Sequence, residues 1–224
     1  MTSCCCQDVD SAFGERTAAH DLKRYRKRGP SKPTRRLLAA IRAQGVGGAS
    51  VLDIGGGVGA IQQELLDAGA GQATSVEASA AYMRAARQEA ERRGSLDRIT
   101  YHQGDFVALA GAVGPADVVT LDRVICCYPD VDALVGRSAE RARRLYGLVH
   151  PRDAWWTRLG FRFVNLGCRV ARKQFRVHVH PLPAVDAAAR GSGLGLRFRA
   201  GVGPIWQVAL YERPGGSRIS PERA

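Results

Sequence analysis

The 224-residue chain contains no apolar run of about 20 residues, which excludes a membrane-spanning helix as a reading of the sequence. It shows no signal-peptide pattern and no internal repeat, so the expectation is a soluble, cytoplasmic protein. It also lacks any C-x-x-C spacing. Its six cysteines (Cys4, Cys5, Cys6, Cys126, Cys127 and Cys168) match no zinc pattern, and thiols in the cytosol stay reduced. The expected metal content is therefore none, with inert thiols as the default. Clustered soft thiolates for a soft metal or metalloid, built from Cys4–Cys6 and Cys126–Cys127, are the alternative. Lysine is scarce, at 4 residues against 29 arginines in an alanine- and glycine-rich chain. The net charge of +12 is therefore as compatible with a solvated basic surface as with an anionic partner. The length is enough for one α/β domain with extensions.

What is present is concentrated in Val51-Leu-Asp-Ile-Gly-Gly-Gly-Val-Gly59. An apolar strand ends in an acid and a glycine cluster, and a helical segment follows at once. Gly55, Gly57 and Ala60 fit the loose dinucleotide pattern, in which glycines let backbone approach a ligand and the helix N-terminus attracts its negative group. Asp53 sharpens this. An acid at a strand end can receive an ammonium group, which S-adenosylmethionine (SAM) carries and nicotinamide dinucleotides lack. Glu77 ends a second strand pattern 24 residues after Asp53, near the ~20-residue spacing of a ribose-binding acid. A carboxylate suits a ribose diol because it accepts two hydrogen bonds. Asp105 follows a third strand, placed to accept from an adenine amino group with Phe106 against the ring. Asp122 ends a fourth.

This four-part pattern resembles the class I SAM-dependent methyltransferases over roughly residues 35–212. The resemblance implies that Asp53, Gly55, Gly57 and Gly59 hold the methionine end, Glu77 the ribose, and Asp105 and Phe106 the adenine, with Ala78 and Asp122 among the cofactor-binding residues. After strand four, Asp122-Arg-Val-Ile-Cys-Cys-Tyr-Pro129 cannot form the Asn/Asp-Pro-Pro-Tyr/Phe motif of enzymes that methylate base amines, which argues against nucleic acid as substrate. The segment is similar to that of the magnesium-protoporphyrin O-methyltransferases through Asp122, Ile125, Tyr128 and Pro129. Cys127 stands where that family has histidine, so the resemblance implies the reaction and the site and not the porphyrin.

Periodicity predicts helices at 10–28, 32–44, 59–68, 79–93, 130–143 and 182–190, and strands at 50–54, 73–77, 98–103, 117–122, 144–149, 194–200 and 205–212. The fold class implied is a Rossmann-like, doubly wound seven-stranded sheet with an antiparallel C-terminal edge. Residues 1–44 read as an N-terminal arm and helical cover, 45–212 as the SAM-binding domain, and 213–224 as a disordered tail. A basic amphipathic insertion occupies 151–180.

Residues 15–42 and 140–180 each carry ten Lys/Arg against two acids, which leaves the rest of the chain slightly acidic. Within 155–173, Trp156, Leu159, Phe163, Leu166 and Val170 form an apolar stripe. Arg158, Arg162, Asn165, Arg169 and Arg172 form a polar one, although Gly160 and Gly167 weaken a helix. The stripe either packs on the domain or serves as a lid or a contact with an anionic membrane. Methyl transfer to a carboxylate needs no base. A phenol or amine would need one, and Tyr25, Asp122, Tyr128 and His150 are the catalytic candidates, with His20, His178 and His180 as further titratable groups. The expected activity is methyl transfer to a small hydrophobic or anionic acceptor, with oxygen favoured by resemblance. A nicotinamide-dependent oxidoreductase, or a basic SAM-binding module without turnover, are the competing readings.

Overall fold

The computed structural model describes residues 14–172 and 175–215, and Cys4–Cys6 and 216–224 lie outside it. Two helices come first. α1 (Glu15–Arg28) has Glu15 in its first turn and three basic residues in its last, and buries Ala18, Leu22 and Tyr25 at helical spacing. α2 (Lys32–Arg42) is capped by the Ser31 hydroxyl, which accepts from the Thr34 N–H, with Pro33 in the first turn.

The remaining order is β1 (Ser50–Ile54), α3 (Ala60–Asp67), β2 (Gln72–Glu77), α4 (Ala80–Arg93), β3 (Ile99–Gln103), α5 (Phe106–Leu109), β4 (Ala116–Asp122), α6 (Val131–Glu140), β5 (Ala142–Pro151), α7 (Trp155–Val170), α8 (Leu182–Gly191), β6 (Gly195–Val202) and β7 (Trp206–Glu212). The strands form one seven-stranded sheet in the order β3-β2-β1-β4-β5-β7-β6. β1 to β5 pair in parallel, and β7 is antiparallel to both β5 and β6. This is the expected Rossmann-like methyltransferase sheet.

Alternation along the strands builds two cores. Leu52, Ile54, Val119, Leu121, Tyr146 and Leu148 face one layer, with α6 and α8 packed on it. Val51, Val118, Leu145, Val149 and Val208 face the other, covered by α2 and α3. α1 packs through Ala18, Leu22 and Tyr25 on Val58, Ala81, Tyr82 and Ala85, so it lies over the glycine segment.

Several boundaries differ from the periodicity. α6 stops at Glu140, because Ala142 is already paired with Ala116 and β5 runs ten residues. The single-turn α5 escaped the pattern; it forms because the Asp105 carboxylate caps the Val107 N–H. Arg213, assigned by its polar surroundings to the tail, donates to the carbonyls of Ala142 and Ser192. α7 forms across both glycines, but its apolar stripe does not pack on the domain. Only Thr157 of its sixteen residues is buried, and Trp155, Phe163 and Val170 are 72%, 65% and 78% exposed.

Candidate active site

β1 is buried at every position but its first, and the chain must then turn into α3 within five residues. Gly55, Gly57 and Gly59 make that turn with φ of +64°, +56° and +78°, a region side-chain-bearing residues rarely occupy. Gly56 is required by space instead. A Cβ there would lie 2.5 Å from Gln62 Nε2 and 2.6 Å from Asp53 Oδ2.

Beneath this loop, Asp53 is buried. Thr120 Oγ1 donates to its Oδ1 at 2.8 Å, and Gln62 Nε2 to its Oδ2 at 3.2 Å and to Ser75 Oγ at 2.9 Å. It has no ion pair among the described residues. Burial pushes its carboxyl up to about 7, against the two hydrogen bonds that lower it; the nearby Asp122 and Glu77 carboxylates push the same way as burial.

The parallel register sets four acids along the carboxyl ends of neighbouring strands, in the spatial order Asp105, Glu77, Asp53, Asp122. Such an edge is where open α/β sheets bind ligands. Glu77 accepts from the backbone N–H of Gly57 and of Ser79, both at 2.9 Å, and so ties the glycine loop to β2. Asp105 caps α5 and accepts from the Tyr128 hydroxyl at 3.2 Å. Asp122 accepts from Thr34 Oγ1 of α2 at 2.6 Å and from Arg123 Nε at 2.9 Å. Arg123 holds a left-handed φ of 63°, strained for a side-chain-bearing residue.

These groups line one cavity of about 510 Å³. Of the sequence candidates, Asp53, Gly55, Gly57, Glu77, Ala78, Asp105, Phe106, Asp122, Tyr25 and Tyr128 line it; Gly59 and His150 do not. Gly59 caps α3 from behind, against Ala86 and Gln62. His150 is buried in β5, with Nδ1 3.0 Å from its neighbour's carbonyl and Nε2 3.1 Å from the Gln207 amide, and burial lowers it to about 4. Tyr25 reaches the cavity wall, but its hydroxyl donates to Glu64 at 3.3 Å and accepts from Arg93 at 3.0 Å, and burial drives its pKa upward. A phenol so held is a poor proton acceptor. No histidine among the described residues lines the cavity. His178 and His180 stack and brace the 125–128 turn from outside: the His178 N–H donates to the Cys126 carbonyl, and His180 Nε2 lies 2.9 Å from the carbonyls of Ile125 and Tyr128.

The end of the cavity beyond β4 was largely missed by sequence reasoning. Its wall is Val124, Phe161, Phe175, Val177 and Trp206, with Arg123 and the Arg24–Asp21 pair at the polar positions. Trp206 arrives because it pairs with Pro151 at the carboxyl end of β5, a register no local pattern reveals. Cys126 and Cys127 also line it, with sulfurs 3.8 Å apart. The hydrogen bond from Cys126 lowers the Cys127 thiol and raises its own, and Arg123 favours the Cys127 thiolate further. Among the described residues no cluster of three His, Cys, Asp or Glu could hold a metal ion.

The fold is that of the class I SAM-dependent methyltransferases. Residues 51–145 match the family described as a methyltransferase domain, which covers β1 through the start of β5. The chain is similar in fold to the magnesium protoporphyrin IX methyltransferase from Synechocystis PCC 6803. With SAH bound, that structure is 19% identical, with a TM-score of 0.72, covering 93% of this chain and 99% of that one. Its SAM-bound form is 18% identical, with a TM-score of 0.68 and coverage of 93% and 97%. An O-methyltransferase family protein from Burkholderia thailandensis is 16% identical, with a TM-score of 0.67, covering 92% of this chain and 64% of that one. A search of curated protein sequences gave no match. The cofactor is SAM.

Proposed function

We propose that the chain methylates the carboxylate oxygen of a small, largely apolar acceptor. The observation that carries this reading is the composition of the cavity beyond β4. Its wall is aromatic and aliphatic, its charged groups are Arg24 and Arg123, paired with Asp21 and Asp122, and no histidine among the described residues stands ready to remove a proton. A carboxylate arrives already ionised, so positioning and a dry, tuned field do the work.

The residues present fit SAM. Asp53 is a buried acid without a cation, and an ammonium group beneath the glycine loop would supply one. Glu77, at the end of β2, offers its carboxylate to the ribose hydroxyls, and Asp105 with Phe106 offers an acceptor and a ring face to adenine. When bound, SAM supplies an activated methyl group. Asp122, pinned by Thr34 and Arg123, fixes the edge between the two halves of the cavity. Phe161, Phe175 and Trp206 exclude water from the acceptor half. Support from relatives is coarser: one neighbour is a magnesium protoporphyrin IX methyltransferase by name and another an O-methyltransferase family protein.

Titration calorimetry with SAM, SAH and NADH, repeated on Asp53→Ala and Glu77→Ala, tests the cofactor site; binding of SAM that both variants weaken is expected. For the acceptor, protein is incubated with methyl-labelled SAM and a panel of aromatic and aliphatic carboxylates, phenols and amines. Label released by mild base marks a methyl ester. Label that resists base would assign the acceptor to a phenol or amine and overturn the carboxylate reading.

A further inference from the structure

Among the described residues, ten large hydrophobic side chains are exposed, and seven of them lie on α7, which makes that helix the apolar patch of the surface. Its inward side is narrow. Thr157 is buried and Phe161 lines the cavity. Asn165 accepts from the Val177 N–H and donates to the Val177 carbonyl, both at 2.8 Å. At about 100° per residue, Trp155, Leu159, Phe163, Leu166 and Val170 lie on the side opposite those three. Arg158, Arg162 and Arg169 form a continuous basic flank along the stripe. Arg158 is paired with Asp153, and Arg162 and Arg169 make no ion pair among the described residues.

We propose that α7 lies flat in the interfacial region of an anionic phospholipid bilayer, stripe inward and arginines on the headgroups. A sixteen-residue helix is about 24 Å long, and no helix among the described residues is long and apolar enough to cross a membrane, which leaves the interfacial orientation. Trp155, the residue type that favours the water–lipid boundary, opens the helix, and Trp156 beside it donates its indole N–H to the Pro204 carbonyl. Charge selects the occupant. A net charge of +12 adds long-range attraction to an anionic surface and opposes a second copy of the same chain on this face. Docking would leave the cavity wall intact, because Phe161 faces the other way.

The test is flotation of the full-length protein with phosphatidylcholine vesicles, with and without phosphatidylglycerol, over a salt series, alongside tryptophan emission and analytical ultracentrifugation. Binding to phosphatidylglycerol vesicles is expected, with blue-shifted emission, weakening as salt rises and roughly tenfold or more weaker on phosphatidylcholine alone. The double variant Phe163→Glu, Leu166→Glu should lose roughly tenfold or more in vesicle affinity. Arg162→Glu and Arg169→Glu should each lose roughly fivefold or more. All should keep the wild-type SAM affinity by calorimetry and the wild-type unfolding transition, which separates lost docking from lost folding. Wild-type protein that stays in the buffer with phosphatidylglycerol overturns the proposal. So does binding that survives the Phe163 and Leu166 changes, which would assign the lipid to the basic surface of α1 and α2. A concentration-dependent dimer that those changes abolish, without vesicle binding, would make the face a homotypic interface instead.

Discussion

Asp53 combines full burial, hydrogen bonds from Thr120 and Gln62, and no counter-ion among the described residues, and burial pushes its carboxyl up to about 7. Its folded value lies above its unfolded one. Its protonation therefore favours the ligand-free fold at low pH, and that contribution is lost as pH rises through about 7. Ligand binding should run the other way. Only the ionised acid neutralises an ammonium group, so SAM affinity should rise roughly fivefold between pH 6 and 7.5, before the ligand's own amine, near ~8, titrates. Calorimetry across that range checks this, and Asp53→Asn should flatten the slope. Gly56 makes a second residue-level prediction. Gly56→Ala puts a Cβ against the Asp53–Gln62 pair, two buried side-chain ends held in place by hydrogen bonds to each other, Ser75 and Thr120. SAM affinity should fall roughly tenfold or more, as backbone at a phosphate- or methionine-type cradle must move. A wild-type dissociation constant for Gly56→Ala would show that the loop yields freely.

At the scale of elements, α1 is fastened to α4 by one buried acid. Glu89 is fully covered and receives Arg26 of α1 at 2.7 Å together with Arg92 and Arg93 of its own helix. Burial alone would raise its carboxyl, yet the hydrogen bonds from Arg92, Arg26 and Arg93 lower it to about 2. Glu89→Gln should lower stability by about 2 kcal/mol in urea unfolding at pH 7, the usual cost of weakening charged hydrogen bonds at a buried acid. Its folded value is depressed, so the difference from wild type should vanish as pH falls below the acid's ordinary range toward 2.

Elements were legible in the sequence where their cause was local. β1 with its glycine turn, β2 ending in Glu77, and the β6–β7 hairpin follow from hydrophobic period and turn residues. The four acids followed because each ends its own strand. What was not legible depends on distant register. Thr34 meets Asp122 across 88 positions, Trp206 joins the cavity through antiparallel pairing, and Arg123 adopts a left-handed backbone that its residue type gives no sign of. His150 was drawn toward the site by its place at the end of β5, but that strand is buried on both faces and the ring is held there beside Gln207. Periodicity found α7 and both its stripes. It could not say which side the molecule would cover, because amphipathicity is equally satisfied by a core and by a bilayer.

On the scale of the whole molecule, the cavity is closed by parts far apart in sequence: α1 and α2, the carboxyl ends of β1 to β4, and the aromatic wall from the region after β5. A ligand held there touches both layers of the fold, so its binding energy should be felt by the molecule as a unit. At a hundredfold excess over the dissociation constant, SAM should add about 2.7 kcal/mol, raising the midpoint of a single thermal transition by roughly 5–10 °C. Scanning calorimetry that splits into two transitions, with only one responding, would mean that the helical cover unfolds by itself.

α7 buries only Thr157 and is otherwise seated by Phe161, the Trp156–Pro204 and Asn165–Val177 hydrogen bonds and the Arg158–Asp153 pair, whereas α4, of nearly the same length, buries seven residues. Local opening follows such differences. Backbone amides of α7 should therefore exchange with deuterium well before those of α4. If the arginine-flanked stripe meets lipid, they should then slow to a comparable rate, turning the most transient helix of the free protein into one of its most protected.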